Sequence, residues 1–210
     1  MTRKVRFAIG EDVIAPVRHA PTLLVLAALT GLPACKRPAR TPEEAFRRVE
    51  RAVAAGNAAD FYRALDRRSR DEISSVYTDE RTQRTIIRAK YPEAAAGPAL
   101  AKLEEAAADD ALHYFEKVNA RQKIVERYRK RLGSVSGPIL TKPDGPNAVW
   151  VARKDGMPFH FAKNKDGSWG WSELRGDWEL EKDRAQHAVT TVQENAKLYQ
   201  KDEAQKGEAQ

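Results

Sequence analysis

The sequence predicts an α+β domain in which N-terminal helices pack on a C-terminal antiparallel β-meander of three to four strands, followed by a final helix. Three observations point there. Helix-capping patterns and a 3.6-residue apolar period recur from Thr41 to about Leu132. After Gly133 the chain changes to short segments rich in valine and aromatics, separated by Lys-Asp-Gly turns. From Asp177 to Gln200 the helical period returns.

The first helix starts at Thr41-Pro42-Glu43-Glu44. The threonine hydroxyl can cap, Pro42 suits a first turn whose N–H groups have no helical acceptor, and Glu44 completes a capping box. Ala45, Phe46, Val49, Ala52 and Val53 then recur at three and four residue steps as one apolar face, and Gly56 can end the helix in a left-handed conformation. Asn57 can cap a second helix carrying Phe61, Tyr62 and Leu65, and Ser69 with Glu72 offers a further capping box ahead of Ile73, Val76 and Tyr77. Ile86, Ile87 and Tyr91 close another helical stretch, and Tyr91-Pro92 followed by Gly97-Pro98 predicts a break. From Leu100 to Leu132 the apolar positions keep a helical period, which predicts one long helical region with a bend near Asp109-Asp110 and a stop at Gly133.

Strands are expected at Ala148 to Arg153, Met157 to Lys163 and Ser168 to Leu174. Val135 to Thr141 adds a fourth ahead of the Pro143-Asp144-Gly145-Pro146 turn, and Pro138, which has no N–H to give a ladder, favours an edge position for it. One domain is expected over residues 41–200, with a disordered tail at 201–210 rich in charge and glutamine.

The clearest functional signal lies before this domain. Leu23 to Leu29 is an unbroken apolar run, preceded by Arg3, Lys4, Arg6 and Arg18 and followed by small residues and the only cysteine of the chain, Cys35. A spanning helix needs about 20 predominantly apolar residues, and Pro21, Thr22, Gly31 and Pro33 confine the run to fewer. The segment resembles a bacterial lipoprotein signal, with Leu32, Ala34 and Cys35 at the matching positions of the lipobox. The resemblance implies that residues 1–34 are cleaved off, that diacylglycerol is attached to the Cys35 thiol and that the new amino terminus is acylated. Residues 35–40 then form the lipidated cysteine and a polar tether. Glu11 and Asp12 make the region before the apolar run long and acidic for such a signal, and translation starting at Val13 or Val17 would remove both.

The expected partner is thus a membrane, reached through lipidated Cys35. With its one thiol consumed by lipid, the domain has none left for disulfides, zinc or thiolate chemistry. The chain carries a formal charge of +7, and residues 1–34 hold four bases against two acids, so the mature chain carries about +5. In a bacterial envelope such a charge meets anionic headgroups or wall polymers, and no nucleic acid is expected as a partner. Lys117, Arg121, Lys123, Arg127, Arg129, Lys130 and Arg131 form the most basic segment, either a headgroup contact or a solvated helix face balanced by Glu116 and Glu126. Lys36 after the cysteine favours the outer over the inner membrane, because the retention signals of well-studied lipoproteins resemble an aspartate there.

A second resemblance concerns the domain itself. Thr41 to Ala45, the Gly56-Asn57 step and Phe61-Tyr62-Arg63-Ala64-Leu65, within residues 41–70, resemble the opening of nuclear-transport-factor-2-like envelope domains. The resemblance implies helices against a curved antiparallel sheet, in a superfamily that hosts enzymes, binders and structural domains alike, so it does not select among them.

Phe159 and Phe161 share one strand face, and Trp169 and Trp171 share a face of the next. These four are the candidate pocket residues, as walls of a concave aromatic site for a lipid, glycan or peptide. The competing role is core packing against the long helices, the commoner fate of strand aromatics. His113, His160 and His187 match no zinc spacing, the carboxylates form no distinguishable acid/base pair, and neither a phosphate loop nor a nucleophile elbow is present, so no catalytic residue, metal or cofactor is expected. The function expected from these features is that of a lipid-anchored, non-enzymatic binding or structural module of the cell envelope. The alternative is a small-molecule isomerase or hydrolase using the aromatic-lined pocket.

Overall fold

The computed structural model describes residues 37–132 and 137–208. Among the described residues, seven helices and one four-stranded sheet follow the expected α+β order. The leader, Cys35 and the stop assigned to Gly133 lie outside the described residues.

Helix α1 spans Pro42–Ala54, capped by the Thr41 hydroxyl, which accepts from the Glu44 N–H at 3.2 Å. Glu44 reaches back to the Arg40 N–H at 2.8 Å, one residue earlier than a capping box requires. Gly56 takes φ +64°, where a side chain is disfavoured, and turns the chain into α2 (Ala58–Ala64) under an Asn57 cap. Helix α3 then runs unbroken from Arg67 to Lys90. Its cap is Asp66, which accepts from the Ser69 N–H, so Ser69 is the third helical residue and not the cap expected from the Ser69–Glu72 spacing. Both residues offer a capping oxygen, and the extended backbone of Asp66 (φ −64°, ψ 161°) decides between them.

The Gly97-Pro98 step does not break the chain, because both residues lie inside α4 (Glu93–Ala101). Proline removes one helical hydrogen bond there, and the surrounding alanines, the strongest helix formers, sustain the short helix. The expected long helix is divided twice. A 3-10 turn (Glu105–Ala107) and an Asp110 cap precede α5 (Ala111–Gln122), and Lys123 at φ +55° separates α5 from α6 (Ile124–Leu132). The Asn119 side chain stabilises this second joint by accepting from the Val125 N–H at 2.8 Å. Lysine has no preference for left-handed backbone, so the joint had no signal in composition.

Strands β1 (Ile139–Pro143), β2 (Ala148–Arg153), β3 (Phe159–Lys163) and β4 (Trp169–Trp171) form an antiparallel meander in the order β1-β2-β3-β4. β2 has the expected bounds, and β1 lies at the edge, as Pro138 implied, but starts later than expected. β4 is short because the chain turns at Ser172 into α7 (Arg175–Glu208). That helix, about 50 Å long, continues through residues 201–208, which the sequence assigned to a disordered tail. Lys201, Ala204 and Gln205 are good helix formers that extend a helix already nucleated against its neighbour. Its partner is α3: Gln83 donates to the Ala185 carbonyl at 3.2 Å, Tyr91 to the Val192 carbonyl at 3.3 Å, and the Tyr91 and Tyr199 rings meet edge-on at 4.9 Å.

Helix α1 covers the sheet's inner face, where Phe46 lies 6.0 Å from Phe161 and 6.4 Å from Phe159. Arg153 of β2 locks the two layers through a two-pronged ion pair with Glu50 of α1 at 2.9 and 2.7 Å. At the free edge of β4, Trp171 accepts from the Asp66 N–H, and Trp169 donates to the Ala39 carbonyl, both at 2.9 Å. The tether and the α2–α3 junction therefore share this edge.

Candidate functional site

The pleat sends the aromatic residues of the sheet to two different sides. Phe159 pairs with Val151, Phe161 with both Val149 and Trp171, and this set faces the helices. Phe161 and Trp171 are fully buried and Phe159 nearly so, while Trp169 is half-buried at the start of β4. The Trp171 ring is met edge-on by Phe61 at 4.9 Å and Tyr128 at 4.5 Å, with Phe159 at 5.9 Å. Three of the four rings expected to wall a pocket are thus filled core. Phe46 of α1, Phe61 of α2 and Tyr128 of α6 pack directly on these rings. Burial of large rings against the helices outweighs an open cavity because each ring removes a large apolar area from water.

The opposite face is open. Lys142, Trp150 and His160 form one cross-strand row, and Leu140 with Ala152 forms the next. With Thr141 and Pro158 these strands line a shallow groove of about 380 Å³, in which Trp150 is the largest apolar surface. His160, half-buried beneath it, is fixed at both ring nitrogens: Nδ1 lies 2.6 Å from the Ser172 Oγ and Nε2 3.1 Å from the Asp144 Oδ2. Its backbone N–H donates to Glu173 at 2.7 Å. The imidazole meets the Trp150 ring edge-on at 4.9 Å. The result is an amphipathic surface with an aromatic centre and a polar rim. Sequence reasoning passed over Trp150, Asp144 and Ser172. The signal was the alternation Val149-Trp150-Val151, which places Trp150 opposite two core valines.

A second concavity of about 230 Å³ lies among α3, α5, α6 and α7, with Val76, Val118 and Trp178 in its wall. Tyr114 is buried there, and Glu80 lines the same concavity. Burial first, and then the neighbouring Glu80 charge, push the Tyr114 phenol far above its ordinary range. Burial raises the Glu80 carboxyl above its ordinary 4.5, with the Glu105 charge adding to the rise and the neighbouring Tyr114 hydroxyl and Arg121 opposing it. A carboxyl whose folded pKa exceeds its unfolded one makes the folded state the better proton binder, so its contribution to stability declines as pH rises through the window beginning near 4.5. Glu80→Gln is expected to flatten this decline. Urea midpoints at pH 5 and pH 7 check it, and an unchanged slope would remove Glu80 as the cause.

The basic segment of α5 and α6 is partly engaged within the fold. Arg121 pairs with Glu105 at 2.9 Å, and the Arg131 guanidinium lies 5.2 Å from the ring centres of both Tyr128 and Phe159. Among the described residues, no cluster of three histidine, cysteine or carboxylate side chains could hold a metal ion, and no helix is long and apolar enough to cross a membrane. No protein-family model, curated protein or solved structure matches this chain.

Proposed function

We propose that this chain is a lipid-anchored lipoprotein of the bacterial cell envelope, favouring the outer membrane, whose exported domain is a non-enzymatic binding module. The observation that carries the reading is the lone Cys35 at the end of the Leu23–Leu29 run, in the Leu32-Pro33-Ala34-Cys35 context. Two acyl chains at one residue hold a protein on a membrane far more firmly than the marginal binding of one. The start of the first helix at Pro42 supports a short tether, since only six residues separate Cys35 from it. The open face around Trp150 is the part of the domain best suited to binding, being apolar at its centre and polar at its rim.

Mass spectrometry of the mature amino-terminal peptide tests the anchor. The expected peptide begins at Cys35 and carries the mass of diacylglycerol and an added acyl chain, and Cys35→Ala is expected to retain the leader without lipid. An intact, unmodified Ala34–Cys35 junction in the mature protein would overturn the reading.

A further inference from the structure

Among the described residues, Leu140, Trp150 and Met157 are three of the five large apolar side chains left exposed, at 51, 37 and 53 %. Leu140 and Trp150 stand on the outer sheet face, and Met157 follows in the β2–β3 connection beside the groove residue Pro158. Clustered apolar exposure of this kind marks an interaction surface, whereas scattered single residues do not. The position of the tether says what that surface meets.

The Ala39 carbonyl accepts from Trp169 at 2.9 Å and Arg40 donates to the Asp166 carbonyl at 3.3 Å, so the chain joins the fold along the free edge of β4. Three residues separate Ala39 from Cys35, and the four Cα–Cα steps between them reach at most about 14 Å. That is no longer than the roughly 15 Å radius of gyration of a domain of this size. An acyl anchor at Cys35 therefore keeps the β4 edge at the bilayer. The groove between β1 and β2 lies only two to three strand spacings of about 4.8 Å from that edge.

Chemistry agrees with geometry. Tryptophan concentrates at headgroup depth, where its ring is buried and its N–H stays wet, while leucine and methionine can enter the acyl boundary. Lys142, Lys154 and Lys163 are balanced about the sheet by Asp144, Asp155 and Glu173, and the tether adds Lys36, Arg37 and Arg40 with no acid. This excess of cations suits anionic headgroups.

We propose that the outer face of the sheet is the bilayer-docking surface of the domain, with Trp150 seated at the headgroup level of an anionic phospholipid membrane beside lipidated Cys35. The proposal rests on the lipid-anchor reading and adds which face of the domain the membrane covers. It places the headgroup contact on the sheet and not on the basic helices.

The test uses the mature lipidated protein in vesicles of phosphatidylethanolamine and phosphatidylglycerol with brominated acyl chains, with acylation verified by mass in the same sample. Trp169, Trp171 and Trp178 are common to both proteins, so the difference in emission between wild type and Trp150→Phe isolates the docking residue. That component is expected to be quenched about twofold, and Leu140→Asp with Met157→Asp is expected to abolish the quenching while leaving acylation and circular dichroism unchanged. An unquenched Trp150 in acylated protein would overturn the docking face and leave the anchor standing. A sample without acyl mass would overturn the anchor and the tether argument together. A dimer of the Cys35→Ala chain in vesicle-free solution that Trp150→Asp dissociates would assign the face to a second copy instead.

Discussion

Gly170→Ala is expected to destabilise the domain by about 3 kcal/mol, at the upper end of the cost of overpacking. An added Cβ at position 170 would lie 2.4 Å from the Asp66 Cα, 2.6 Å from the Asp66 nitrogen and 2.8 Å from the Leu65 carbonyl carbon. All three are backbone atoms, so no side-chain rotation relieves the clash. The segment cannot retreat freely either, because the Asp66 N–H donates to the Trp171 carbonyl and Leu65 bridges Trp171 in parallel. Moving it would expose Leu65, which is 1 % accessible, and pull Asp66 away from the start of α3. Urea unfolding followed by circular dichroism measures the effect. Gly97→Ala is the control: nothing lies within 4 Å of its added methyl, and alanine in helix α4 is expected to be neutral or to stabilise by up to about 1 kcal/mol. A change below about 0.5 kcal/mol at Gly170, the range of ordinary surface substitutions, would show that the α2–α3 junction does not press on β4.

Asp66→Ala is expected to cost about 3 to 5 kcal/mol, the range for removing one partner of a buried ion pair. The Asp66 carboxylate is 3 % exposed, caps α3 through the Ser69 N–H and hydroxyl, and pairs with Arg175 at the first turn of α7. One side chain thereby joins the start of α3 to the start of α7, while the backbone N–H of the same residue holds the edge of β4. Alanine would leave the Arg175 guanidinium, only 28 % exposed, without its anion and the first turn of α3 without its cap. Asp66→Asn separates the two roles, since the amide oxygen can still cap while the charge is lost, and it is expected to cost less than alanine. Equal losses for the two variants would mean that the ion pair carries the whole effect. An Arg175→Ala variant completes a double-mutant cycle, in which the expected coupling is positive and above about 1 kcal/mol.

Both predictions concern a junction that no local pattern announced. Leu65-Asp66 and Gly170-Trp171 are more than 100 residues apart in the chain. Local pattern favours Ser69 over Asp66 as the cap, because a serine three residues before a glutamate matches a local motif and an aspartate awaiting an arginine at position 175 does not. The aromatic strands show the same division. Period-2 spacing correctly put Phe159 and Phe161 together, and the structure places Trp171 with them, but spacing within one strand does not say which face the helices cover. Trp150 received no role because its importance comes from its neighbours across the sheet, Lys142 and His160, and their pairing depends on register. The Lys123 joint was equally silent, since its left-handed backbone is imposed by Asn119 and by burial of Ile124 and Val125.

What the sequence by itself determined is everything written within a few residues: the Thr41 and Asn57 caps, the turn at Gly56, the bounds of β2, the edge position of β1 and the α+β order. Those features depend on interactions within one helical turn or one tight turn, where residue identity and spacing are sufficient information. Tertiary structure alone decided that three of the four candidate pocket rings are core, that the open face belongs to Trp150, and that the tether leaves beside β4. Each of these requires knowing which distant surfaces meet. That choice is made by the burial of apolar area over the whole domain, and short-range pattern carries no record of it.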